Sequence, residues 1–262
     1  MYPKIHLIGK EFPTYGLIAL VGILLFGTYV ISNGKKNKFD EVDLIKCLII
    51  SALGSFIGAH LLYFVTKIKD FIYVLKNLSL IKSFKQVIEV FNYLYGGWVF
   101  YGGLIGGIVA LIVYLKIHNK KVLPYINLCA PAVPLFHFFG RVGCFFAGCC
   151  YGIESKFGIT FHHSEIPYAN GVKRFPIQLV EAFFCLLLFF FLDFIFRKTK
   201  YNNITAYLYL IIYPIGRFII EFFRGDEYRG FLWKLSTSQW ISIIILMIGV
   251  IGIIKTKKRE SA

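Results

Sequence analysis

Seven long apolar segments decide what this chain can fold into. They run over 14–33, 42–66, 98–116, 123–150, 176–196, 204–223 and 238–254. About 20 apolar residues cross a bilayer as a helix. Only a helix or a closed barrel satisfies the backbone there. Of the 262 residues, 57% are hydrophobic and only 16% charged, against about 25% charged in soluble domains. This excludes a soluble enzyme, a disordered chain and an ordinary nucleic-acid binder, although the formal net charge is +15. The sequence predicts an all-α polytopic membrane protein. Its seven transmembrane helices form one membrane domain over 1–262, with an interfacial arm over 67–97 and a small extracytoplasmic head over 151–175.

The fourth segment carries Pro124, Pro131 and Pro134 and ends in a polar, glycine-rich tract. That predicts a kinked or partly re-entrant span. The first segment is too long, and too weakly preceded by basic residues, for a cleaved signal peptide. No internal repeat is evident, which weighs against repeat-built transporter folds. The arm has Phe71, Ile72, Val74, Leu75, Leu78, Ile81, Val87, Ile88 and Phe91 among five lysines. This pattern predicts one or two helices lying in the interface plane. The head is polar and in places β-branched, which predicts short strands.

Basic residues orient the spans. The connections 34–41, 116–122 and 197–203 and the tail 255–262 hold 13 Lys/Arg in 30 residues. The connections on the alternate side hold another 13, spread over 83 residues. The dense clusters include Lys35, Lys36, Lys120, Lys121, Arg197, Lys198, Lys200, Lys255, Lys257, Lys258 and Arg259. They place the N-terminus outside and the C-terminus in the cytoplasm.

An ionisable residue at membrane depth faces protein or water and is a functional candidate. His60, Arg141, Glu181, Arg217 and Glu221 all fall in the outer half of their spans, and Tyr15 and Tyr101 at outer span ends. A polar pocket in the outer-leaflet half of the bundle explains them together. Asp193 and Lys46 read as inner-interface residues, and His137 as a buried hydrogen-bonding group. Tyr213, Arg217 and Glu221 are spaced i, i+4 and i+8, so they share one helix face. Arg224 extends that face, and Pro214 permits a bend beside Tyr213. The planar fork of an arginine suits a phosphate. Gly54 and Gly58 form a small-xxx-small pair for helix packing. Gly102, Gly103, Gly106 and Gly107, and Gly140, Gly143 and Gly148 around Arg141, suit either packing or a backbone that a phosphate approaches. Cys144, Cys149 and Cys150 have the spacing C-x4-C-C, which is not a usual zinc pattern. They read first as structural thiols or a disulfide, then as a reactive thiol carrying an acyl or glyceryl adduct, and last as a metal site. Cys47, Cys129 and Cys185 read as packing residues within spans.

The runs YGGWVFYGGLIGG (95–107), GRVGCFFAGCCYG (140–152) and YPIGRFIIEFFR (213–224), with GAHLLYF (58–64) and FPIQLVEA (175–182), together resemble the prolipoprotein diacylglyceryl transferase family. The resemblance covers nearly the whole chain and is most specific in 213–224. It implies seven spans, an outer-leaflet site and no cofactor or metal. The implied reaction moves a diacylglyceryl group from phosphatidylglycerol to the lipobox cysteine of a prolipoprotein signal peptide, releasing glycerol phosphate. The implied partners are these two substrates and membrane lipid, with no nucleic acid. The expected form is a monomer in the bacterial plasma membrane. By residue match, the implied catalytic set is Arg217, Glu221, Tyr101 and Tyr213. The implied substrate-binding set is Arg141, Tyr15, Gly102, Gly103, Gly152, Gln178 and Glu181. The chain departs from the family pattern at Tyr101, where a histidine is usual, and at Cys144, Ala147, Cys149 and His60. Those departures leave two further readings: a diverged lipid-group transferase with another acceptor, or a lipid or anionic-solute transporter.

Overall fold

The computed structural model describes residues 1–7, 9–77, 83–198, 202–226 and 230–260. Leu78, Ile81, Lys82, Lys200 and Arg229, which enter the arm pattern and the charge comparison, lie outside these, as does the Arg259 side chain. The described chain is mostly helical, and seven helices or helix pairs are long and apolar enough to cross a membrane. The protein is a multi-pass membrane protein of helical type. Its internal contacts divide it into two compact units, 1–33 with 123–262, and 34–122.

The second unit is built on α2 (Glu41–Thr66) and α5 (Phe100–Ile117), which pack side by side. Asp40 caps α2 by accepting from the Asp43 N–H at 2.8 Å, satisfying one donor of the first turn. Glycines set the approach of the two helices. A Cβ on Gly102 would stand 2.3 Å from the Gly58 carbonyl oxygen, and one on Gly54 2.6 Å from that of Gly106. On the far side of α2, Leu53, Ile57 and Leu61 are 58%, 62% and 60% exposed, a lipid-facing stripe at helical spacing. Gly102 and Gly103 are therefore occupied in helix packing. Gly103 faces the Ser55 carbonyl, which a Cβ would meet at 3.3 Å. Gly102→Val should lower stability by about 1–3 kcal/mol through overpacking against a backbone that cannot yield. A thermal melt in detergent checks this, and an unchanged midpoint would refute the contact.

Between these helices lie α3 (Ile68–Lys76) and α4 (Phe84–Tyr95), two short amphipathic helices. Only Leu94 is buried between them. Apolar residues such as Ile72, Tyr73, Leu75, Phe84 and Phe91 stay exposed, as suits helices lying at an interface.

The first unit contains α1 (Thr14–Lys36, up to Asn33), α6 (Val122–Cys129, from Leu123), α7 (Ala132–Ala147), α8 (Ile177–Arg197), α9 (Thr205–Ile220) and α10 (Thr237–Glu260). Proline explains the break between α6 and α7. Pro131 lacks the N–H that would continue the ladder, so one span is two helices. That span ends at Ala147, three residues before the expected limit. Helix α7 packs on α8, α8 on α9, and α9 on α10. Helix α1 meets α8 through Tyr29, whose hydroxyl donates to Asp193 at 2.7 Å. Arg197 also holds Asp193, at 2.7 Å.

Three two-stranded ribbons complete the unit: β1 (Lys4–Leu7) with β2 (Lys10–Pro13), β3 (Glu154–Thr160) with β4 (Lys173–Arg174), and β5 (Phe231–Leu232) with β6 (Leu235–Ser236). The β3–β4 ribbon lies in the segment 151–175. Its small core is Tyr151, Phe161 and Ala169.

Candidate active site

Three neighbouring helices of the first unit each supply charge to one buried chain of ion pairs. Helix α7 contributes Arg141, α8 contributes Glu181, and α9 with its 3-10 extension over Glu221–Phe223 contributes Arg217 and Glu221. Arg141 Nε lies 3.0 Å from Glu181 Oε2. The same oxygen is 3.6 Å from Arg217 Nη1. Arg217 Nη2 lies 2.7 Å from Glu221 Oε2, which is 3.8 Å from Arg224 Nη1. Arg224 then grips Asp226 with Nε at 2.9 Å and Nη2 at 2.5 Å. Cations and carboxylates alternate along the whole chain, so the buried charges cancel. Glu181 and Glu221 are each 3% exposed and Arg217 7%.

This balance has a physical reason. A lone buried charge costs several kcal/mol, whereas a paired, hydrogen-bonded one is tolerated. The i, i+4 spacing of Arg217 and Glu221 makes their contact local. The bridge from Glu181 to two arginines is tertiary and depends on how α7, α8 and α9 are rotated against one another.

Some donors in the chain are unused. Arg141 makes its ion pair from Nε, and neither Nη atom hydrogen-bonds to a described residue. Arg217 Nη1 is buried with no hydrogen-bond partner, while its Nη2 also reaches Ser238 Oγ at 3.3 Å. Two guanidinium edges thus remain for an anionic ligand. Just beyond the span, burial alone would depress the Arg224 guanidinium. The Asp226 carboxylate more than offsets this, so the group is raised above the ordinary arginine value.

Tyrosines flank the charges. Tyr213 OH points to Glu181 Oε1 at 3.5 Å, and its ring stacks on Tyr209 at 5.4 Å. Tyr15 lies against α7 beside Arg141, since a Cβ on Gly143 would meet its Cδ2 at 3.0 Å. Gln178 Nε2 donates to the Cys149 carbonyl at 2.7 Å, tying α8 to the loop after α7. Gly152 is held between two backbones. It bridges to Arg224, and a Cβ there would stand 2.3 Å from the Phe175 carbonyl oxygen. A side chain would push away the Phe175 carbonyl and crowd that of Phe223, one residue before Arg224.

The structure thus gathers Arg141, Glu181, Arg217, Glu221 and Tyr213, with Tyr15, Gln178 and Gly152 around them. Tyr101, Gly102, Gly103 and His60 belong to the other unit. Tyr101 is 38% exposed and touches Phe100 edge-on at 5.7 Å. His60 Nδ1 lies 2.7 Å from the Tyr95 carbonyl oxygen. His137 corrects its sequence reading. Its Nδ1 is buried without a hydrogen-bond partner, and its ring is 5.0 Å from Tyr213. It therefore belongs to the site rather than apart from it, and its position four residues before Arg141 on one helix face was the available signal. Asp226 and Ser238 were also missed. Asp226 lies outside the apolar spans, and Ser238 sits at the very start of the seventh, where no periodicity marks it. Of the first reading, structural thiols or a disulfide, the structure has the thiols: Cys144, Cys149 and Cys150 are all free.

Comparison with known proteins identifies the family. The sequence model described as prolipoprotein diacylglyceryl transferase matches residues 3–255. The phosphatidylglycerol–prolipoprotein diacylglyceryl transferase of Clostridium tetani is 36% identical over 94% of this chain and 93% of its own. A second such enzyme, from Clostridium perfringens, is 34% identical over 97% of this chain and 96% of its own. The enzyme of that name from Rickettsia bellii is 32% identical over 94% and 91%. With a match across nearly its whole length, the chain belongs to the prolipoprotein diacylglyceryl transferase family.

Proposed function

We propose that the protein transfers a diacylglyceryl group from phosphatidylglycerol to the lipobox cysteine thiol of a prolipoprotein. A C–S bond forms at the glyceryl carbon as its C–O bond to phosphate breaks. The thiol proton is lost, and glycerol phosphate leaves with the bonding electrons. The observation that carries this reading is the buried chain of three arginines and three carboxylates, with Arg141 and Arg217 retaining unused donor edges.

Arg141 holds the donor's phosphate, and Arg217 stabilises the charge that grows on it as it departs. Glu181 and Glu221 fix the two guanidiniums, and Tyr213 contacts the polar part of the donor. Tyr15, Gln178 and Gly152 shape the substrate-binding surface around these groups. The donor's acyl chains stay in lipid. The basic connections set the orientation, with the N-terminus outside, the C-terminus cytoplasmic and the site opening to the outer leaflet of the bacterial plasma membrane. The enzyme acts as a monomer.

Purified protein given labelled phosphatidylglycerol and a lipobox peptide should release glycerol phosphate and yield a lipidated peptide. Release without peptide modification would assign a different acceptor, and the absence of both products would refute the transferase reading. Tyr101 stands where the family histidine is usual. Its phenol O–H can donate a hydrogen bond, so we assign it as a donor to the substrate rather than as a base. Tyr101→Phe should therefore slow turnover about tenfold, the value of one hydrogen bond. An unchanged rate would reduce Tyr101 to a space-filling role.

A further inference from the structure

Cys144, Cys149 and Cys150 have no part in the reaction above, yet their sulfurs lie within 4.8 Å of one another. The backbone brings them there. Helix α7 is capped by Gly148, whose φ is +74°, and a Cβ at that position would stand 2.6 Å from the Ser164 Cβ. Ser164 Oγ donates to the Gly148 carbonyl at 3.0 Å. Cys149 N–H donates to the Cys144 carbonyl at 3.1 Å, folding the loop back over the last helical turn. Gln178 holds the Cys149 carbonyl from α8. Cys150 then takes φ +55°, a left-handed conformation that costs a residue with a Cβ about 1 kcal/mol or more. Such strain persists where the surroundings over-determine it, and its product here is the convergence of three thiols.

We propose that these three thiols form a zinc site, with Cys144, Cys149 and Cys150 as thiolate ligands and a fourth position open to solvent or to a sulfur ligand. Zinc–thiolate bonds of about 2.3 Å in a tetrahedron place the sulfurs about 3.8 Å apart, which a rotamer adjustment of about 1 Å reaches from the present separation. An all-sulfur set selects a thiophilic cation over magnesium or calcium. Three thiolates and one Zn2+ carry a net charge of −1. Cys144 is buried, whereas Cys149 and Cys150 are half-buried and give the ion a way in. The spacing C-x4-C-C conceals this site in the sequence because the convergence depends on the left-handed backbone at Gly148 and Cys150.

The test uses the full-length protein, purified in detergent under anaerobic, reducing conditions, stripped of metal and dialysed against zinc chloride. It requires no substrate, so its result stands apart from the transferase reading. One zinc per chain is expected by elemental analysis. Zinc should slow alkylation of Cys144, Cys149 and Cys150 by about tenfold or more, read by peptide mass spectrometry, and leave Cys47 unaffected. Cys144→Ser, Cys149→Ser and Cys150→Ser should each weaken zinc binding by about tenfold or more, whereas Cys47→Ser should not. The alkylation measurement on the unaltered protein decides the matter even where a serine variant fails to fold. Three thiols that react equally fast with and without zinc overturn the proposal. So does a disulfide among them in the anaerobic preparation, or zinc retained in all three serine variants.

Discussion

Arg217→Ala is expected to lower diacylglyceryl transfer by about a thousandfold or more while the protein still inserts into the membrane. The estimate rests on what the guanidinium is positioned to do. Glu221 grips Nη2 at 2.7 Å, Glu181 lies 3.6 Å from Nη1, and Nη1 has no hydrogen-bond partner. The group is therefore oriented before any ligand arrives. A preorganised donor aimed at developing charge is worth about 10²–10³ in rate. Removing the whole guanidinium also removes a full positive charge from a low-dielectric site. Arg217→Lys separates these two contributions. It keeps the charge and loses the fork, so it should regain a minor part of the rate. Glycerol phosphate release is the rate assay, and immunoblotting of membranes together with a detergent melt controls for folding. If Arg217→Ala stays within about tenfold of the parent in well-folded protein, the residue does not stabilise the departing phosphate.

The sequence exposes features that depend on local spacing or on solvent. The seven spans are legible because lipid demands uninterrupted apolar helices. The break in the fourth is legible in kind because Pro131 cannot donate to a helix ladder. The Arg217–Glu221 contact follows from four residues of separation on one helix. The double role of Glu181 was hidden, since it depends on three helices being rotated so that one carboxylate faces two arginines. Gly102 and Gly103 left two readings open, and only the position of the Gly58 carbonyl decides for packing. His137 was set aside because its depth differed from that of the other ionisable groups. Helical spacing to Arg141 was the better guide, because an i, i+4 pair shares a face. Asp226 was invisible for the opposite reason, since a loop carboxylate outside any span carries no signal until its partner is placed.

Glu181→Ala is expected to damage stability and activity together, and more than loss of any other carboxylate in the chain. Glu221 contacts Arg217 and Arg224, and Arg224 keeps Asp226 when Glu221 is gone. Glu181 has no such substitute on the Arg141 side. Its Oε2 is the only carboxylate oxygen paired with Arg141 among the described residues. Deleting it leaves Arg141 without a counter-ion and Arg217 with one neighbour fewer, both beneath a largely buried surface. Breaking a buried pair by removing one partner costs about 3–5 kcal/mol. For a chain of this length that corresponds to a fall on the order of 10 °C in a detergent melt. Activity should fall by about a hundredfold or more, because both phosphate-facing guanidiniums lose their orientation. Glu181→Gln keeps the shape and one acceptor but not the charge, so it should fall between the parent and Glu181→Ala in both measurements. Two groups that act through one contact must also couple. In the double variant Glu181→Ala with Arg141→Ala, the destabilisation should be clearly smaller than the sum of the single effects. Strict additivity would mean that the 3.0 Å contact carries no energy, and that Arg141 and Glu181 serve the site separately.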